Sequence, residues 1–105
     1  MIPEYEVILS KSFKIDLEEI SKYISSALLA PESADKIVDD IVNVAESLSF
    51  MPERYAVVKW SSGSKKCKRR APCGNYGIYY TVDKRNRKVY VIQVIRKGRK
   101  AADLL

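Results

Sequence analysis

The side chains best equipped for chemistry in this sequence are cations. Lys65, Lys66, Lys68, Arg69 and Arg70 form one basic run, and Arg96, Lys97, Arg99 and Lys100 form a second. Arginine offers a planar fork of donors that matches the oxygens of phosphate or carboxylate, and lysine offers a compact point charge, so both runs suit oxyanion recognition. The chain has no His, which removes the usual proton carrier at neutral pH and leaves any catalysis to other groups. Its two cysteines, Cys67 and Cys73, fall short of the four ligands of a structural zinc site and have no His to activate a thiol. They read as incidental small hydrophobes, and neither a metal nor another cofactor is expected.

Charge is divided along the chain. Residues 1–52 hold four lysines against ten acids, a net −6, whereas residues 53–105 hold fifteen Lys and Arg against three acids, a net +12. A basic half of this strength suits a polyanionic partner, either nucleic acid or an acidic protein segment; a solubilising surface is the plainer alternative. The length of 105 residues fits one domain spanning 1–105. The apolar stretches are too short to span a bilayer, and the first ten residues lack the features of a signal peptide. A cytoplasmic location without membrane contact is therefore expected.

The elements that must position the cations follow from periodicity. "YEVILS" (residues 5–10) predicts a short strand. Phe13, Leu17, Ile20, Ile24 and Leu28 then recur at helical spacing, with Ser10 or Ser12 available as a cap. Pro31 suits the first turn of a second helix, whose apolar stripe is Ala34, Ile37, Val38, Ile41, Ala45 and Leu48. The two helices form an αα-hairpin, and the acids sit on their solvated backs. After Pro52 the period changes to two. "YAVVKW" (55–60) predicts a short strand with Trp60 covering a core edge, and "CKRRA" (67–71) starts a strand that Pro72 and Gly74 should interrupt. "YGIYYTV" (76–82) and "KVYVIQVI" (88–95) form an antiparallel hairpin. The fold class is α+β: an N-terminal strand and an αα-hairpin packed on a mostly antiparallel sheet of three to four strands.

That hairpin sets the start of one strand beside the end of the other, so the two basic runs should meet at one end of the sheet. Tyr76, Ile78, Tyr80 and Val82 share the core face by period two, which leaves Tyr79 on the opposite face as the better contact candidate. Lys84, Arg85, Arg87 and Lys88 fall at the turn and read as a solvated group.

In order, spacing and length, "YEVILS", "DLEEISKYI", "PESADKIVDDIVNVAESLSFMPERY", Arg70 ahead of "NYGIYYTVD", and "VYVIQVIRKGR" resemble the RelE/ParE superfamily of toxins from type II toxin–antitoxin systems. The resemblance implies a small toxin restrained by a cognate acidic antitoxin. RelE-like members are ribosome-dependent endoribonucleases that cut mRNA, whereas ParE-like members inhibit DNA gyrase. It places Lys68 and Arg70 where RelE-like enzymes carry basic catalytic residues, and Arg99 where the family carries an arginine after its last strand. Gly77 stands where the family often has Arg, and the end of the chain has no counterpart to a C-terminal catalytic Tyr or His.

A nuclease of this kind needs no histidine, because RNA supplies its own 2′-OH nucleophile. In that reading Lys68, its charge disfavoured by neighbouring cations, acts as base, and Arg70 and Arg99 stabilise the phosphorane. Lys66, Arg69, Tyr79, Arg96, Lys97 and Lys100 contact the RNA. The alternative, a ParE-like gyrase inhibitor, requires no acid/base group.

Overall fold

The structure, a computed structural model, describes residues 4–27, 29, 31–58 and 68–96. Strand β1 (Glu6–Leu9) is followed by helix α1 (Lys11–Lys22), a π-helical turn (Tyr23–Ala27) and helix α2 (Pro31–Ser47). A 3₁₀ turn (Pro52–Arg54) then leads into β2 (Val57–Val58), β3 (Lys68–Cys73), β4 (Tyr76–Asp83) and β5 (Lys88–Arg96). The five strands form one sheet in the order β1-β5-β4-β3-β2. The expected α+β arrangement is present, with β1 joining the sheet parallel to β5 and the other neighbours pairing antiparallel. Trp60, Cys67 and Leu28 lie outside the described residues. No described helix is long and apolar enough to cross a membrane.

Both helical stripes reach the core as their spacing requires. Phe13 from α1, together with Ile41, Ala45 and Leu48 at and just beyond α2, packs against Ala71, Ile78, Tyr80, Val89, Val91 and Val94 of the sheet. Ser10 is the N-cap of α1: its Oγ accepts from the Phe13 amide at 3.0 Å and donates to the Ile92 carbonyl at 2.8 Å. Ile92 is the extra residue of a bulge in β5, since Tyr79 pairs with Gln93 and the next residue, Tyr80, with Val91. Where β1 ends, α1 therefore takes over the edge of β5. The Val94 amide donates to Asp16 Oδ2 at 3.1 Å in the same way. Burial pushes the Asp16 carboxyl above its ordinary value, opposed by that amide and assisted by Glu19.

The predicted interruption at Pro72 does not occur; β3 runs through it to Cys73. The reason is directional. The Arg70 amide donates to Ala56 O, away from β4, at 3.2 Å, and two residues on, position 72 faces the same way. β2 pairs only as far as Arg69, so the N–H that proline lacks has no strand to bond. Gly74, at φ +57°, then supplies the positive φ of the first central residue in the two-residue turn to Tyr76. The second hairpin turn, 84–87, is held by Asp83, whose Oδ1 accepts from the Asn86 amide at 3.2 Å and Oδ2 from Asn86 Nδ2 at 2.9 Å. These bonds hold the Asp83 carboxyl below its ordinary value.

Candidate functional site

The sheet has two unlike faces. The helices cover the face carrying Val7, Leu9, Val89, Val91, Ile78 and Tyr80. The cross-strand register puts Ile8, Tyr90, Thr81, Lys68 and Val58 together on the other, open face, with Gln93, Tyr79 and Arg70 in the next row and Ile95, Gly77 and Pro72 in the one after. Lys68, Arg70 and Tyr79 thus share a surface, as alternation along a strand requires. Arg70 and Tyr79 are direct cross-strand partners in a pair whose amides point away from each other, the closer of the two antiparallel spacings. The same row includes Gln93 Nε2, a buried amide with no acceptor among the described residues.

Of the remaining candidates, the described Arg69 and Arg96 do not join them. Arg96 pairs with Tyr76 at the far end of β5 and is exposed, and its register sets it on the helix-covered side. Lys66, Lys97, Arg99 and Lys100 lie outside the described residues. Of the two basic runs expected to meet at one end of the sheet, only Lys68, Arg69, Arg70 and Arg96 are among the described residues. Because β3 folds straight back along β4, Lys68 reaches the level of Thr81 while Arg96 stands at the level of Tyr76. Five residues of strand separate those levels, roughly 17 Å.

Arg69 also departs from the expected cluster, for a clear physical reason. It pairs with Tyr80 on the helix-covered face, where Nη1 donates to the Tyr55 carbonyl at 2.7 Å and the Glu53 carbonyl at 3.2 Å, and Nη2 lies 3.6 Å from Glu53 Oε2. Arg54 works nearby in the same manner. Its Nη1 donates to the carbonyls of Ser47, Phe50 and Met51, its Nη2 donates to Ser47 Oγ at 2.9 Å, and its guanidinium sits 4.7 Å from the centre of the Tyr55 ring. The Ser47 carbonyl ends α2, where a cation is favoured, and those of Phe50 and Met51 lie in the segment that follows it. Tyr80 completes the anchor, donating from its hydroxyl to the buried Pro52 carbonyl at 2.5 Å. Burial pushes this phenol up to about 12, against the opposing pull of Arg69 and Arg54. Two arginines and one tyrosine of the basic half therefore fasten the 47–55 connection.

Arg70 is turned to the open face, and its side chain runs back toward the end of β5. A Cβ built on Gly77 would lie 2.4 Å from Arg70 Nε, 2.7 Å from Cζ and 2.8 Å from Nη2, so the guanidinium covers the glycine. That places its charge at the level of Ile95, one residue before Arg96. Gly77 departs from the family pattern, and an isolated glycine inside a strand is itself a signal of a close approach. Cys73 lies partly buried on the helix-covered side, and burial, with Asp40 nearby, pushes its thiol up, which suits a packing role. Among the described residues, no group of three or more Cys, Asp or Glu stands together as a metal site would need.

The fold has close counterparts among solved structures. The chain superposes on the chromosomal ParDE toxin–antitoxin system from P. aeruginosa with a TM-score of 0.72, at 18% identity over 90% of this chain and 98% of that one. It superposes on the RelBE2 toxin–antitoxin complex from Mycobacterium tuberculosis with a TM-score of 0.65, at 20% identity over 94% of this chain and 97% of that one. No curated protein sequence matches it. The family model described as the ParE toxin of the type II toxin–antitoxin system parDE matches residues 7–101. With that match spanning nearly the whole chain, and with the sheet and helices arranged as above, the chain belongs to the ParE family of type II toxin–antitoxin toxins.

Proposed function

We propose that this toxin acts by binding rather than by cutting RNA: its open sheet face engages DNA gyrase and inhibits it, and a cognate antitoxin restrains it. The observation that carries this reading is the ParE family match over residues 7–101. A nuclease built on Lys68, Arg70 and Arg99 needs all three at one phosphodiester. Among the described residues, the register sets Lys68 five residues of strand from the level of Arg96, while the Arg70 guanidinium reaches the level of Ile95. What the open face offers is the Arg70 guanidinium and the aromatic rings of Tyr79 and the exposed Tyr90, the ingredients of a protein-binding hot spot. The planar fork of donors on Arg70 can hold an oxyanion.

The family match supports the antitoxin partner. A basic toxin half facing an acidic or disordered segment that orders on binding would be masked both electrostatically and sterically. The ribonuclease reading keeps one observation in its favour, the shared face of Lys68, Arg70 and Tyr79. Purified gyrase in a supercoiling assay, run beside translating ribosomes with mapping of mRNA 5′ ends, separates the two. Inhibited supercoiling with intact mRNA is the expected result, and codon-dependent cleavage with unaffected gyrase would overturn it.

A further inference from the structure

We infer that Gly77 is a positioning residue for Arg70: its missing Cβ is the seat of the guanidinium, and that seat fixes the cation on the open face. Gly77 lies inside β4 between Pro72 of β3 and Ile95 of β5 and takes no positive φ. The glycine is therefore not required by backbone conformation. What it provides is space. The three atoms nearest to a Cβ at this position all belong to the end of the Arg70 side chain, at 2.4, 2.7 and 2.8 Å. Unstrained non-bonded contact lies at roughly 3.5–4.0 Å, so one methyl group obliges the guanidinium to retreat by about 1 Å.

The retreat is cheap for the fold because Arg70 is flexible and its tip is the part that moves. It is costly for recognition, since a guanidinium free to sample several rotamers loses the geometry that a two-point contact with an oxyanion needs. Without the seat, the Arg70 charge would no longer be fixed at the level of Ile95. Gly77 thus acts through Arg70 and contacts no ligand itself. The inference rests on the toxin reading above and does not depend on which target is hit.

The test is a double-mutant cycle of Gly77→Ala and Arg70→Ala with two readouts: growth arrest on induction in bacterial cells, and the NMR resonance of the Arg70 Nε–Hε group in the purified chain. Gly77→Ala is expected to melt no lower than the parent, because alanine is better tolerated than glycine inside a strand. Its Arg70 resonance should move toward the solvent-exposed position. Arg70→Ala should weaken growth arrest about 10- to 100-fold, the loss of one charge-assisted contact. Gly77→Ala should by itself reproduce most of that loss and add nothing in the Arg70→Ala background. Unchanged growth arrest in a folded Gly77→Ala chain, or an Arg70 resonance that does not move, overturns the inference. If the parent chain arrests no growth, the toxin reading fails with its functional half, and the resonance alone decides whether Gly77 seats Arg70.

Discussion

Arg69 and Arg70 are neighbours in sequence with opposite assignments, so exchanging each for alanine should separate folding from function. Arg69→Ala removes a 2.7 Å bond to the Tyr55 carbonyl, a 3.2 Å bond to the Glu53 carbonyl and a 3.6 Å approach to the Glu53 carboxylate. A hydrogen bond from a charged donor contributes about 1.5–3 kcal/mol. The first bond is partly buried and takes most of that value. The second is exposed, and the ion pair, with Glu53 40% exposed, adds at most about 0.5 kcal/mol. The total is about 2–3 kcal/mol, or a fall of roughly 8–15 °C in melting temperature for a domain of this size. Arg70→Ala should stay within about 0.5 kcal/mol of the parent, as surface substitutions do. Urea denaturation followed by circular dichroism measures both: the midpoint of Arg69→Ala should drop at constant slope, and that of Arg70→Ala should hold. Equal destabilisation by the two, or none from Arg69→Ala, would refute the division of labour between the faces.

Other consequences follow from the same contacts. Tyr80→Phe strands the buried Pro52 carbonyl and should cost about 1–3 kcal/mol by thermal melting. The Tyr80 phenol is held at about 12 in the fold against a value of 10.0, so the native state keeps its proton longer than the unfolded chain. Stability should therefore fall as pH rises from 10 to 12, and Tyr80→Phe should flatten that limb of a pH–stability curve. Asp16→Ala leaves the Val94 amide without its acceptor and should cost about 1–2 kcal/mol, whereas Asp16→Asn keeps an acceptor and should cost less. Because burial raises the Asp16 carboxyl, stability should decline as pH rises through and just above the normal carboxylate range, and Asp16→Asn should remove that component of the slope.

The fold was legible where a single period governed a segment. The spacing of Phe13, Ile24, Ala34, Ile41 and Leu48 marks helical faces that bury against one side of a sheet, and all five are buried. The hairpin around 84–87 and the open-face position of Tyr79 also follow from alternation alone. Pro72 misled because its effect depends on which way its nitrogen faces, and that is set by how far β2 extends. The expected convergence of the two basic runs rested on the β4–β5 hairpin, and among the described residues the continuous β3 carries Lys68 away from the level of Arg96. Composition could not distinguish Arg54 and Arg69 from Arg70, because the difference lies in which face a one-residue step selects. Gly77 was visible as an anomaly, but its meaning required the neighbouring strand.

In the proposed function the open face, not the helical layer, meets the target. Methyl-selective NMR of the labelled toxin titrated with purified gyrase tests it most directly. Ile8, Val58 and Ile95 report the open face, and Ile15, 44% exposed on α1, reports the opposite side. Selective broadening of Ile8, Val58 and Ile95, lost in Arg70→Ala, is the predicted result. Broadening centred on Ile15 with the open-face methyls untouched would contradict the account.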